Sequence, residues 1–267
     1  MTMADEPVIQ VRNLNKTFYF KEDNNDTIKQ GIYNLFKNKK SRSLPALSDI
    51  NFDVNKGEFI GVVGRNGSGK STLLKLLIGS YKPDKGSDIQ INGRIIRLAL
   101  GMGFDSNLSA RDNIYINCSI LGLSFKRIKE IFDDIIDFSE LHDFVDVPVK
   151  HFSSGMKSRL TFSIAMYANA DIFLIDEFFG GVGDESFKKK SEKFFKENFL
   201  KGKTIIHVSH SLSNLLKFSD KIIFLDKGQI VEIGQPDVVI EKYKASFKDD
   251  YLDRVRKEKG LVQYKLK

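Results

Sequence analysis

The chain has 267 residues, of which 41% are hydrophobic and 29% charged, with a formal net charge of +7 and one cysteine, Cys118. That length supports one full-sized domain or two small ones, no apolar run reaches the roughly 18 residues that cross a bilayer, and one cysteine excludes an internal disulfide and suits a reducing compartment. The opening "MTMADEPV" is acidic with no apolar stretch, so no signal peptide is expected, and the positive charge reads either as a solvated surface or as attraction to a nucleotide, a nucleic acid or an anionic membrane leaflet.

In chain order, "VIQVRNL" (8–14) and "LSDINFDV" (47–54) alternate like half-buried strands. Between them, residues 21–45 are polar and basic. Within this insert Ile28, Ile32, Leu35 and Phe36 fall on one helical face, and Lys37, Lys39, Lys40 and Arg42 cluster at its end. Two readings stand for that helix: packing on its own domain, or lying at a membrane boundary. "EFIGVVG" (58–64) reads as a buried strand and "KSTLLKLLIG" (70–79) as a helix. "SDIQINGRIIRLAL" (87–100) predicts strand, turn at Asn92-Gly93, strand. Two helices are expected within 109–141 and another over 154–168. "DIFLID" (171–176) and "KTIIHVS" (203–209) are buried-strand runs flanking a helix over 185–200. "KIIFLDKGQIVEIG" (221–234) reads as a hairpin turning at Lys227-Gly228, and the charged tail from 241 as a helix over 244–260. There is no internal repeat. Alternating strands and helices predict an α/β fold with a mainly parallel sheet. The early strands form a separate antiparallel sheet, and residues 105–168 form a helical subdomain.

Residues 64–72, "GRNGSGKST", fit G-x-x-x-x-G-K-[ST] between a predicted strand and a predicted helix. Such a match arises by chance on the order of once in a hundred chains of this size. Gly64, Asn66, Gly67, Ser68 and Gly69 would wrap phosphates with backbone N–H groups, Lys70 would reach the β- and γ-phosphates, and Ser71, next to Thr72, would bind Mg²⁺. The expected ligand is ATP or GTP. Asp176 and Glu177 end a buried strand; Asp176 can hold Mg²⁺ through water and Glu177 can polarise an attacking water. His210 follows another buried strand and would emerge nearby, whereas His142, His151 and His207 sit in no constellation. Ser153, Ser154 and Gly155 open a helix with small residues, which leaves N–H groups bare for a second anion.

Lys70, "SSGM", Asp176-Glu177 and His210, in that order, resemble the ATP-binding subunits of ABC transporters over about residues 8–240. "FSSGM" (152–156) stands where that family has its signature Leu-Ser-Gly-Gly-Gln. The resemblance implies a P-loop NTPase core of RecA-like type with an antiparallel β subdomain and a helical signature subdomain. Residues 1–240 would be the nucleotide-binding domain and 241–267 a tail. It implies ATP hydrolysis with Mg²⁺, with Glu177, His210 and Lys70 as catalytic groups and Ser71 and Asp176 on the metal side. It also implies a homodimer in which Ser153, Ser154 and Gly155 serve the partner's nucleotide. "GVGDESFKKK" (181–190) and "LALGMGFDSNLSARDNIYINCSILGLS" (98–124) are similar to the branch that exports capsular polysaccharide, O-antigen or teichoic acid. Asp184 then matches the D-loop aspartate, and Phe18 best matches the aromatic that stacks on adenine.

The branch implies two copies of a polytopic membrane permease, a lipid-linked polysaccharide carried by it, and a peripheral seat on the cytoplasmic face of the plasma membrane. It also has an extra N-terminal helix like the one read within 21–45. No nucleic acid partner is expected, and the tail is too short for a sugar-reading β-sandwich. Three features depart from the family: no glutamine at 100–103, Met156 in place of the signature glutamine, and "FFGG" at 178–181. Other ABC branches, an ABC ATPase acting on nucleic acid or the ribosome, and a P-loop kinase are the competing readings.

Overall fold

The computed structural model describes residues 7–20, 42–99, 103–176, 183–200 and 202–258. The helix expected within 27–40, Glu177 and residues 100–102 lie outside the described residues.

Nine strands form two sheets: β1 (Ile9–Phe20), β2 (Arg42–Val54), β3 (Phe59–Val63), β4 (Asp88–Ile91), β5 (Ile95–Ala99), β6 (Ile172–Asp176), β7 (Thr204–Val208), β8 (Lys221–Asp226) and β9 (Gln229–Gly234). The first sheet has the order β2-β1-β4 and the second β5-β6-β7-β3-β8-β9. The small sheet is antiparallel, as expected. Its alternation of Ile9 and Val11 breaks before Leu14, and a register shift there returns Leu14 to the core face. The shift passes through Asn13 at φ 48, whose N–H donates to Asn51 Oδ1 at 2.8 Å.

The large sheet is parallel from β5 to β8, and β9 closes it as the antiparallel hairpin expected at Lys227-Gly228. The Asn92-Gly93 turn does not make a hairpin. β4 pairs with β1 and β5 pairs with β6, so the chain passes there from one sheet to the other. Ile89 and Ile91 pack on the core cluster of the small sheet. The next residues continue forward instead of doubling back, because the Asp171 carboxylate accepts the Arg94 N–H at 2.8 Å and starts a parallel ladder.

Seven helices are described: α1 (Lys70–Leu77), α2 (Ala110–Ile120), α3 (Phe125–Ser139), α4 (Ser154–Ala165), α5 (Glu185–Phe194), α6 (Leu212–Phe218) and α7 (Pro236–Glu258). α6 is a short helix that periodicity does not announce. α7 starts earlier than expected and runs through residue 240, with Val239, Ile240 and Tyr243 packed on Phe224 and Leu215.

Three clusters besides the one around Phe224 build the core. The first, which includes the small-sheet residues that Ile89 and Ile91 pack on, lies between the two sheets and holds Leu73, Leu74 and Leu77 of α1 with Ile60, Val62, Leu174 and Val208. A phenylalanine-rich cluster of Phe59, Phe162, Phe173, Phe187 and Phe195 covers the other face of the large sheet. A third joins α2, α3 and α4 through Ile114, Ile131, Ile135, Leu160 and Ile164. α4 contributes Leu160 to the helical layer and Phe162 to the sheet layer, and so ties the two together.

Candidate functional site

The loop after β3 is shaped by its glycines. A Cβ on Gly64 would stand 2.1 Å from the Leu225 carbonyl oxygen, and one on Gly69, at φ 109, 2.9 Å from the Ala46 oxygen. Side chains at either position would push the loop out of place. The β8–β9 turn braces the loop from behind: Gly228 N–H donates to the Ser68 carbonyl at 3.0 Å, and Ser48 N–H donates to the Gly228 carbonyl at 2.8 Å. α1 begins at Gly69 without a side-chain cap, so its first N–H groups are open to an anion. Lys70 is only 7% exposed. Its Nζ donates to the carbonyls of Gly64 at 2.6 Å and Arg65 at 2.9 Å, which sets the ammonium at the mouth of the loop.

Above the loop lies a cavity of about 400 Å³. Asn66, Gly67, Gly69, Lys70, Ser71, Thr72, Asp176 and His210 line its polar end, and Phe18, Leu44, Pro45 and Ala46 its apolar end. Phosphates fit the first and an aromatic base the second. Gly64 and Ser68 form the inner side of the loop. Phe18 is half-buried, its ring edge-on to Tyr81 at 5.3 Å with Lys16 Nζ 5.4 Å away. The strand order explains the convergence. β6 and β3 flank β7, so Asp176 and the residues after Val63 emerge at the same carboxyl end of the sheet. Asp176 is in register with Val208, which brings the β7–α6 connection alongside. There Ser209 Oγ accepts the Ser211 N–H at 3.1 Å and Ser211 caps α6, and His210 is exposed on the cavity wall.

Ser71 and Asp176 bring hydroxyl and carboxylate oxygen to one cavity, a donor set that suits Mg²⁺ completed by phosphate oxygens and water. Asp176 also has a partner that no motif announces: Arg97 Nη2 donates to its Oδ2 at 2.6 Å. The signal was an arginine inside the apolar strand "IIRLA". His207, three residues before His210, is fully buried. Desolvation pulls it down to about 4, against an opposing pull from Asp176, so it is a neutral core residue at pH 7.

The helix start read from the sequence as a second anion site lies elsewhere. Ser153 caps α4, its Oγ accepting the Met156 N–H at 3.2 Å, and buried Phe152 anchors the turn. Ser153 and Ser154 are exposed. Among the described residues, none of Ser153, Ser154 and Gly155 lines the cavity above α1. Asp184 is not on that cavity either. It caps α5 by accepting the Phe187 N–H at 2.9 Å and pairs with Arg159 of α4. The Phe187 N–H, then the Arg159 charge, hold its carboxyl below the usual range. Arg159 also donates to Glu140 at 2.7 Å, so one side chain ties α4 to the Asp184 turn and to the end of α3.

The sequence profile of the ABC transporter family matches residues 47–180. The chain is 40% identical over 243 residues to the O-antigen export system ATP-binding protein RfbB of Klebsiella pneumoniae, covering 90% of this chain and 98% of that protein. It is 42% identical over 206 residues to the teichoic acids export ATP-binding protein TagH of Lactococcus lactis subsp. lactis, covering 77% of this chain and 44% of that longer protein. Among solved structures, an ATP-binding subunit of an ABC transporter superposes with a TM-score of 0.68 at 21% identity, covering 89% of this chain and 93% of that one. A dimeric post-hydrolysis structure of the cassette MJ0796 bound to ADP and Pi gives 0.65 at 20%, covering 85% and 98%.

Proposed function

This chain belongs to the ABC transporter family of ATP-binding proteins, and from that premise we propose that it is the ATP-hydrolysing subunit of an exporter of lipid-linked polysaccharide of the O-antigen or teichoic-acid type. Two copies would work as a homodimer on the cytoplasmic face of the plasma membrane, against two copies of a polytopic permease. The export class rests on relatives named for O-antigen and teichoic acid export. Among the described residues no helix is long and apolar enough to cross a membrane, so the passage itself falls to the permease.

One observation carries the mechanism: the exposed signature turn at Ser153 is absent from the cavity that holds Lys70 and Asp176. In a head-to-tail pair the α4 N-terminus of one copy would close the α1 cavity of the other. Phe18 would stack on the adenine. Lys70 would leave the Gly64 and Arg65 carbonyls for the β- and γ-phosphates. Ser153 and Gly155 would hold the γ-phosphate from across the interface, and Asp184 would couple the two sites through Arg159. Glu177 would take a proton from the attacking water while His210 holds the γ-phosphate in line. Ser71 and Asp176 would hold Mg²⁺, which neutralises phosphate charge when bound. Loss of the γ-phosphate removes the contact between copies, and the pair opens.

Replacing Glu177 with glutamine should remove the proton acceptor and preserve the ATP cradle. Glu177→Gln is expected to hydrolyse ATP at least about 100-fold more slowly and to elute as a dimer with ATP, by size exclusion with light scattering. A monomer at saturating ATP would overturn the composite-site mechanism. We infer that the 27–40 segment touches the permease or the anionic lipid-linked substrate; its deletion should then abolish export and leave basal ATPase intact.

A further inference from the structure

Arg97 stands where a charge is least expected, in the middle of edge strand β5, between Ile96 and Leu98. It shares a sheet face with Asp176, because Ala99 is the register partner of Asp176 and Arg97 lies two residues back. The two side chains are mostly buried, 23% and 19% exposed. A guanidinium taken that far out of water needs a counter-charge, and the one it has among the described residues is Asp176, at 2.6 Å. Arg97 Nε is buried without a hydrogen-bond partner among the described residues.

Arg97 also reaches a second cavity. About 250 Å³ of mostly apolar space lies between β5, α2 and α4, lined by Arg97, Phe104, Asn117, Ile120 and Ile164. Asp176 lines the nucleotide cavity and not this one. The ion pair therefore spans the wall between the two.

We propose that Arg97 is a positioning residue that competes with the divalent cation for Asp176. The inference rests on the assignment of Asp176 to the metal side of the nucleotide site. Without a cation, Arg97 neutralises and orients the carboxylate. When nucleotide and cation arrive, a single carboxylate faces a guanidinium and a divalent ion, and the two cations repel each other. Arg97 thereby weakens metal binding and keeps the empty site from capturing a cation before nucleotide. Removing the guanidinium also strands a mostly buried carboxylate, which a cation then neutralises. Both effects point toward tighter metal binding when Arg97 is neutral.

The test is a Mn²⁺ titration of the full chain with ADP, followed by electron paramagnetic resonance, for wild type, Arg97→Met, Arg97→Gln and Arg97→Lys. ADP affinity in EDTA is measured alongside. Arg97→Met should bind Mn²⁺ in the ternary complex roughly five- to tenfold more tightly than wild type. Arg97→Gln, which keeps a donor and serves if the methionine variant does not fold, should do the same. Arg97→Lys should stay within about twofold of wild type because the charge is kept. In EDTA, ADP affinity should be unchanged in Arg97→Lys and no tighter than wild type in the two neutral variants, because an unpaired Asp176 repels phosphate. Unchanged or weaker Mn²⁺ binding in the neutral variants would overturn the proposal. A wild-type chain that binds no ADP would overturn the nucleotide-site reading beneath it.

Discussion

His207 and His210 are three positions apart and have opposite fates. β7 is buried along its whole length, so His207 is enclosed against Phe59, ring centroids 5.9 Å apart, while His210 emerges past the strand end onto the cavity above α1. The sequence distinguished them, because a run such as "TIIHV" marks a strand buried on both faces, and the carboxyl end where α/β folds bind ligands begins where it stops. The depth of His207, and hence its titration, depends on packing that no local pattern carries. Its native form stays neutral down to about pH 4, whereas the unfolded form takes up a proton below about 6.5. The unfolded state therefore binds more protons between these values, so stability is full above 6.5 and is lost as pH falls toward 4. From His207 alone, the loss between pH 6.5 and 5 is about 2 kcal/mol. Urea unfolding over this range should show that slope, and His207→Gln should flatten it. An equal slope in the variant would contradict the assignment. Arg97 was not legible in the same way: an arginine in a buried strand signals a partner, but only the β5–β6 register identifies it as Asp176.

At the level of elements, the sequence was readable wherever a period ran unbroken and misleading where a turn signal had two uses. Asn92-Gly93 and Lys227-Gly228 both resemble hairpin turns. Only the second is one, because β9 returns along β8 while β5 goes on to β6. α6 escaped notice because seven residues are too few to establish a helical period. The second turn also has a task invisible in sequence, since it backs the loop between β3 and α1. A Cβ on Gly228, at φ 79, would lie 2.7 Å from the Ala46 oxygen and 3.1 Å from the Ala46 carbonyl carbon. Both are backbone atoms that cannot rotate away. Gly86, at φ 87, faces open space. Gly86→Ala should thus cost only the left-handed backbone penalty, about 1 kcal/mol. Gly228→Ala should cost about 1–3 kcal/mol more and also weaken ATP binding, because the Ser68 carbonyl loses its brace. Unfolding titrations with ATP affinities for both variants check this; equal losses would show that the turn does not support the loop.

For the whole molecule, the central fact is separation. Lys70 and Ser153 each sit at the start of a helix, yet the cavity at one contains nothing of the other. The motifs themselves were plain in the sequence and the family resemblance implied their separation, but the packing that holds them apart was not legible: α4 is shared between the helical layer and the sheet. If two copies complete each other, defects in the two helices must complement. Lys70→Ala disables the α1 side of a site and Ser153→Arg the α4 side, so each variant alone forms dimers with two broken sites and should be inactive. In a mixed dimer, one site collects both defects and the other is intact. Random one-to-one mixing makes half the dimers mixed, each with one working site of two, so activity should return to about a quarter of wild type. ATPase assays across mixing ratios should peak at equal proportions. Full activity of Ser153→Arg on its own would show that the signature turn serves no nucleotide, and the case for a shared site would fall with it.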